Sequence, residues 1–189
     1  MKSFFKKIFK NKKKDIEKKY EDLIIPKIKD FRNTIITKET ISFLHYGHLG
    51  DIVNSLPVIK ELSKNKKCNL YIQKNKSIPR HVLSRDHPFG EVYLSESSIL
   101  KILPLLKAQK FIQKVEIYNN QKIDIDLNFF REIPINFNID SVRWYFHLTG
   151  NFPDLSNNYL EVPEHDKYKN YIVIMRSLRR QNKFIDYSF

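Results

Sequence analysis

Apolar and polar positions follow two different periods along the chain after Thr40. Continuous apolar runs at 41–46, 68–72 and 171–175 are typical of buried strands, and 52–62, 97–106 and 140–148 carry apolar residues at helical spacing. Because strands alternate with helices, we expect an α/β fold, a parallel sheet flanked by helices with right-handed crossovers. The runs 114–118 and 123–127 on either side of Asn119-Asn120 instead predict a β-hairpin.

Local signals place the ends of several elements. A short strand is expected at 92–94, after the turn at 87–90. Ser97 and Ser98 are suited to cap the helix that follows. Gly150 is suited to end the helix that begins near Asp140.

These patterns divide the chain into four parts. Residues 1–38 form a leader, 39–150 an α/β domain, and 151–168 a linker rich in Asn, Pro and acidic residues. The apolar run 171–175 indicates that 169–189 begins a second domain. A single strand would leave its edges and faces uncovered, so we expect this second domain to be incomplete in the sequence.

The net charge of +13 is concentrated in the leader, whose 13 Lys or Arg and five Asp or Glu contribute +8. Its aromatic and aliphatic residues recur near helical spacing among lysines, which predicts a basic amphipathic N-terminal helix. Residues 1–36 could bind an anionic membrane surface. The same residues are equally compatible with a solvated leader or a helix packed on the body. Nucleic acid is not expected as a partner, because no base-reading motif accompanies the charge.

Cysteine and histidine usage excludes several classes of protein. A single cysteine, Cys68, rules out an intrachain disulfide, and the six histidines show no metal-ligand spacing, so no metal is expected. No apolar segment is long enough for a signal peptide or a membrane span. The expected location is the cytoplasm, and the basic leader leaves open a peripheral position at the inner membrane face.

Candidate chemistry lies in the loop Gly47-His48-Leu49-Gly50-Asp51, which holds two of the four glycines. Glycines between a strand and a helix allow a tight turn or the close approach of a ligand. A carboxylate in the first helical turn is stabilised as an anion, so Asp51 could act as a general base or could simply cap its helix. His45, on the preceding strand, is expected to be a core histidine.

Two further sets of polar residues allow alternative interpretations. Asp124 and Asp126 lie two apart on a strand and share one face, so a paired-carboxylate or metal role remains open beside the favoured solvated face. Arg131 could reach an anionic acceptor at a strand end or form a surface salt bridge.

The stretch His48-Leu49-Gly50-Asp51-Ile52-Val53-Asn54-Ser55-Leu56-Pro57-Val58-Ile59 resembles the amino-terminal motif of the heptosyltransferase-like glycosyltransferases, glycosyltransferase family nine. That motif reads Gly-Asp, two or three apolar or variable positions, then Leu-Pro and an apolar pair. The resemblance covers residues 40–63 well, continues loosely to Arg131 and returns at 171–187.

The resemblance implies a GT-B architecture of two Rossmann-like domains that face each other across a cleft, here 39–150 and the incomplete 169–189. In that architecture the amino-terminal domain binds the acceptor and the second domain binds the nucleotide-sugar donor. Transfer in that family inverts the anomeric centre and usually needs no metal, so no cofactor is expected besides the donor substrate. The family's catalytic aspartate falls on Asp51, as the base for the acceptor hydroxyl. We expect substrate contacts from Gly47, His48, Leu49, Gly50, Asn54 and Arg131, and donor contacts from Arg176, Arg179 and Arg180, although a solvated face fits these last three equally well.

The expected function is therefore transfer of a sugar from a nucleotide sugar to a glycan or lipid-linked acceptor, by a chain that lacks most of its donor domain. The alternative is a non-catalytic Rossmann-like binding module, attached to a membrane or a partner through its basic leader.

Overall fold

Four parallel strands form the centre of the computed structural model, which describes residues 15, 17–79, 91–133 and 139–162. Helices flank this sheet, which confirms the predicted α/β fold with a parallel sheet. The strands are β1 Thr40–His45, β2 Lys67–Ile72, β3 Lys114–Ile117 and β4 Ile125–Asp126. The α-helices are α1 Ile25–Thr37, α2 Leu49–Ser63, α3 Glu96–Lys107 and α4 Val142–Thr149. A π-helical turn, Tyr20–Ile24, precedes α1, and a 3-10 helix, Leu127–Glu132, follows β4.

The strand order is β3-β2-β1-β4. The chain moves outward from β1 to β2 and β3, then returns to the far side of β1, where Phe43 pairs with Ile125 and Leu44 with Asp126. Between β1 and β4 the sequence therefore reverses its direction across the sheet. In parallel sheets a crevice opens at such a reversal, beyond the carboxyl ends of the strands.

The predicted hairpin of 114–118 and 123–127 is wrong. β3 and β4 lie at opposite edges of the sheet and run parallel, with Asn120 in a left-handed turn (φ 60°) between them. Asp124 holds the crossing chain to β1, because its backbone N–H donates to Ser42 O and its Oδ2 accepts from Ser42 N–H, both at 2.9 Å. This crossing places Ile125 in the core, fully buried, where a hairpin would have left it at the outer edge beside β3.

Two other local predictions need correction. Ser95, rather than Ser97 or Ser98, caps α3, since its Oγ accepts from Ser98 N–H at 3.2 Å. The expected strand at 92–94 is reduced to one antiparallel bridge between Ser77 and Val92. The other helix end is confirmed: Gly150 ends α4 in the left-handed conformation, with φ 76°.

Residues 151–162 contain neither helix nor strand, and they lie against the body of the domain. Leu155, Tyr159 and Leu160 pack on the core, and the Gln109 side chain hydrogen-bonds both the N–H and the carbonyl of Glu161 at 2.9 and 2.8 Å. The remainder of the predicted linker, the second domain at 169–189 and residues 1–14 and 16 of the basic leader lie outside the described residues. The described part of the leader includes α1, whose Phe31 and Ile35 are buried in the core, so this part is a helix packed on the body. Within the described ranges, no helix combines the length and apolar character needed to cross a membrane.

Candidate functional site

A cavity of about 580 Å³ opens where β1 and β4 end. Tyr46, the residue after β1, and Asp126, the last residue of β4, both line it, together with Asp51 from the first turn of α2. This volume lies within the usual range of small-molecule sites. The cavity therefore occupies the position where a sheet of this topology is expected to bind a ligand.

Asp51 is the third residue of α2, and its carboxylate is held by two hydrogen bonds to one oxygen. Oδ2 accepts from the backbone N–H of His48 at 3.1 Å and from Nη2 of Arg131 at 2.6 Å. In the described part of the chain, no hydrogen bond reaches Oδ1. The first contact caps the helix, while Oδ1 remains available as an acceptor on a residue that lines the cavity. Both interpretations made from the sequence, helix cap and available carboxylate, are thus compatible with the geometry.

Arg131 crosses 80 positions of sequence to reach Asp51. Its guanidinium lies 4.4 Å from the ring centre of Phe130 and 4.9 Å from that of Tyr93, and Nη1 donates to Asn128 Oδ1 at 3.3 Å. The ion pair is not at an open surface, because the Arg131 and Asp51 side chains are only 24% and 20% exposed. Stacking and pairing together fix the cation against the aspartate on the cavity wall.

A chain of buried hydrogen bonds holds the loop Gly47–Asp51 in place. Gly47 N–H donates to His45 Nδ1 at 3.0 Å, so the imidazole proton is on Nε2, which lies 3.1 Å from Tyr145 Oη. The Tyr145 hydroxyl donates in turn to the Asp51 carbonyl at 2.8 Å. Burial, with a smaller contribution from the Arg131 charge, lowers the pKa of His45 to about 3, and burial raises the pKa of Tyr145 well above its usual value. Both groups are therefore neutral near pH 7, and the prediction of a core histidine at position 45 is confirmed.

The two loop glycines have different surroundings. A Cβ on Gly47 would lie 2.7 Å from Asp51 Oδ2 and 2.8 Å from His45 Cε1, whereas a Cβ on Gly50 would meet nothing within 4 Å. The absence of a side chain at Gly47 therefore lets the Asp51 and His45 side chains pack against the backbone, whether or not a ligand binds. Gly50 leaves open space beside the start of α2.

Gly47→Ala is expected to destabilise the protein by about 1–3 kcal/mol, because the buried His45 ring and the start of α2 would have to separate. Gly50→Ala is the matched control and should be neutral or stabilising by roughly 0.5–1 kcal/mol, since alanine favours a helix over glycine. Urea unfolding of the two variants measures the difference. Equal stabilities would show that the Gly47 contacts are easily relaxed.

The other site residues that the sequence predicted near Asp51 mostly lie outside the cavity lining. His48 stacks edge-on against Tyr93 at 5.3 Å, and its Nδ1 is 3.0 Å from the Tyr93 carbonyl. Leu49 is exposed, and the Asn54 side chain donates to Ser141 Oγ at 2.6 Å, joining α2 to the start of α4. Among these loop and helix residues, only Asp51 lines the cavity. Arg176, Arg179 and Arg180 lie outside the described residues.

The sequence did not predict Tyr46 or Asn128 in the cavity, and it indicated Asp126 only as one half of a possible carboxylate pair with Asp124. Asp126 Oδ1 accepts from both the backbone and the side-chain amide of Asn128, at 2.9 and 2.8 Å, and Asn128 Oδ1 also accepts from Tyr46 N–H at 3.2 Å. Burial raises the pKa of Asp126 above 3.8, and burial with the nearby Asp126 charge raises that of Tyr46 to about 12. One signal in the sequence could have indicated these residues, namely that polar side chains follow the end of the strand at 123–127. The hairpin prediction placed that strand beside β3, at the wrong edge of the sheet.

Asp124 does not share the environment of Asp126. It forms an ion pair with Lys38 and hydrogen-bonds β1, and its side chain is only 9% exposed. The favoured solvated face for the two acids is therefore wrong, because each carboxylate is engaged by different protein groups. Within the described ranges, no three His, Cys, Asp or Glu residues come together in a group that could hold a metal ion.

Comparison of the chain with protein-family profiles, with curated proteins and with solved structures finds no match.

Proposed function

We propose that the protein is a heptosyltransferase-like glycosyltransferase of GT-B type, and that the cavity receives the acceptor sugar. Asp51 would take the proton of the acceptor hydroxyl as the acceptor oxygen bonds to the anomeric carbon of the donor. The bond from that carbon to the nucleoside diphosphate breaks on the opposite side, and the diphosphate leaves with the electron pair. The configuration at the anomeric carbon is therefore inverted.

The observation that carries the proposal is the position of the Asp51 carboxylate. It stands on the wall of a ligand-sized cavity, at the carboxyl end of the sheet, and one of its oxygens accepts no hydrogen bond from the described residues. A general base needs this combination of access and a free lone pair. The resemblance of residues 48–59 to the amino-terminal motif of the family supports the same role.

The rest of the enzyme follows from the resemblance and belongs to the same proposal. The donor's diphosphate would meet Arg176, Arg179 and Arg180, because guanidinium groups bind phosphate oxygens in pairs. The basic leader would hold the protein at the anionic inner face of a membrane, where lipid-linked acceptors are found.

The test is a transfer assay on the full-length encoded protein. UDP-glucose, GDP-mannose and ADP-glucose are offered with and without a lipopolysaccharide core oligosaccharide. We expect release of nucleoside diphosphate that requires the acceptor, and a product of inverted configuration. Absence of acceptor-dependent release across this panel would contradict the proposal.

A second candidate, the non-catalytic binding module, is favoured by the engagement of Asp51. A carboxylate that caps its helix and pairs with Arg131 has a complete structural role without any reaction. The two candidates differ in turnover. A binding module would retain a saccharide without releasing nucleoside diphosphate, and Asp51→Asn would change only its stability.

A further inference from the structure

Asp126 is a second carboxylate in the cavity, distant in sequence from the Gly47–Asp51 loop. It ends β4 and is largely shielded from solvent, and both of its hydrogen bonds fall on Oδ1. In the described residues nothing donates to Oδ2. The 3-10 helix at Leu127 is capped through Oδ1 alone, so Oδ2 is left as an acceptor on a residue that lines the cavity.

The walls around Asp126 favour a particular kind of ligand. Among the described lining residues, three carboxylates, Asp51, Asp126 and Glu132, stand against two cations, Lys76 and Arg131. Arg131 pairs with Asp51, and Glu132 pairs with Lys19 at 2.7 Å, which leaves one charge of each sign, Asp126 and Lys76. These residues therefore form no cluster of cations that would attract an anionic ligand. This balance favours neutral groups that donate hydrogen bonds, of which hydroxyls are the commonest in carbohydrate chemistry.

Aromatic rings supply the remaining wall. Tyr46 and Tyr93 lie 5.8 Å apart between ring centres, and Trp144 stacks on Phe130 at 5.0 Å. Such rings pack against apolar faces, while the cavity volume of about 580 Å³ admits one or two sugar rings. The site thus combines flat apolar surfaces with a fixed acceptor at its base.

We propose that Asp126 is a specificity-determining residue that accepts a hydrogen bond from one hydroxyl of an uncharged sugar ring bound in this cavity. The inference rests on the proposed function, in that it assigns the acceptor a neutral polyhydroxylated ring and names the residue that orients it. Asp126 Oδ2 accepts a hydrogen bond from the hydroxyl, which keeps its proton, so no covalent bond is made or broken at this residue.

Asp126→Asn is a close probe of this contact. Asparagine retains an oxygen that can accept both bonds from Asn128, so the start of the 3-10 helix is preserved. The oxygen that faces the ligand becomes an amide group that donates instead of accepting. Asp124→Asn is the matched control, because Asp124 lies on the same segment and outside the cavity lining.

The experiment measures binding directly, without donor or transfer. Trp144 is the only tryptophan and lines the cavity, so its fluorescence reports occupancy as methyl α-D-mannopyranoside and methyl β-D-glucopyranoside are titrated into the full chain. We expect at least one probe to bind, with Asp126→Asn weakening it about 10- to 100-fold and Asp124→Asn leaving it unchanged, as for a hydrogen bond to a charged group. Unchanged affinity in Asp126→Asn, or no binding of either probe to the wild-type chain, would overturn the inference.

Deoxy analogues of the bound probe make the assignment independent of the variant's folding. Removing the hydroxyl that reaches Asp126 should weaken wild-type binding about tenfold or more and should have little further effect in Asp126→Asn. If every deoxy analogue binds wild type as well as its parent, the inference fails. Probe binding that depends on Asp126 without any transfer would overturn only the proposed enzyme activity, whereas transfer with an acceptor KM unaffected by Asp126→Asn would overturn only this inference.

Discussion

Asp51→Asn is expected to lower the rate of sugar transfer by about 10²–10⁴-fold, the usual contribution of a positioned general base. Asparagine can present its oxygen where Oδ2 now accepts from His48 and Arg131. Its amide group then replaces Oδ1, and an amide cannot take a proton from the acceptor. The loss should appear in kcat, with the KM for the acceptor changed little.

Asp30→Asn is the control for this experiment. Asp30 is exposed on α1, and among the described residues its one ion pair is with Lys27 at i,i+3, so its substitution removes the same charge outside the cavity lining. The variant should transfer at the wild-type rate, and urea unfolding should show that Asp51→Asn is folded. Turnover by folded Asp51→Asn within a few-fold of wild type would remove Asp51 as the base.

Acidification should destabilise the protein through His45, by up to roughly 4–5 kcal/mol if its full pKa displacement is realised. The folded-state pKa of about 3 lies below the ordinary 6.5 because the ring is fully buried. Between these values the unfolded chain binds a proton that the folded chain does not. Stability is therefore highest above pH 6.5 and falls as the pH decreases towards 3.

His45→Gln isolates this effect. Glutamine cannot titrate, and its amide can still donate to Tyr145, although the bond from Gly47 is lost. The variant should be less stable than wild type at pH 7.5 and should lose less stability between pH 6.5 and 4. His147→Gln, at an exposed position on α4, should keep the wild-type slope. Urea unfolding at several pH values measures all three proteins, and a common slope would show that His45 does not control the acid response.

Hydrophobic periodicity was sufficient to predict β1, α2, β2 and α3, because each has a long apolar pattern bounded by polar residues or glycine. It failed at β4, where two residues give no period and the preceding Asn119-Asn120 turn imitates a hairpin. Strand partners are chosen by burial across the whole sheet, and no local pattern contains that information. The pairing of Ile125 with Phe43 is such a choice.

The candidate site was predictable only on its α2 side. The glycine loop and Asp51 follow one strand directly, so local sequence is enough to place a carboxylate at the end of the sheet. The ion pair of Asp51 with Arg131 and its hydrogen bond from the Tyr145 hydroxyl join residues 80 and 94 positions apart. The cap on Asp126 is local, but Asp126 reaches the site only because β4 pairs with β1. Treating 123–127 as a hairpin partner of β3 concealed this convergence.

The return of the chain to the far side of β1 makes the cavity depend on the pairing of one short strand. One wall follows a strand of only two residues, Ile125 and Asp126, and is tied to the other wall by the ion pair of Arg131 with Asp51 and the hydrogen bond from Tyr46 N–H to Asn128. Any opening that detaches this strand from Phe43 and Leu44 separates Asp51 from Arg131 and Asp126 at once. The rate of amide hydrogen exchange at β4 therefore reports how often the site comes apart, and slow exchange there would mean that the site stays assembled.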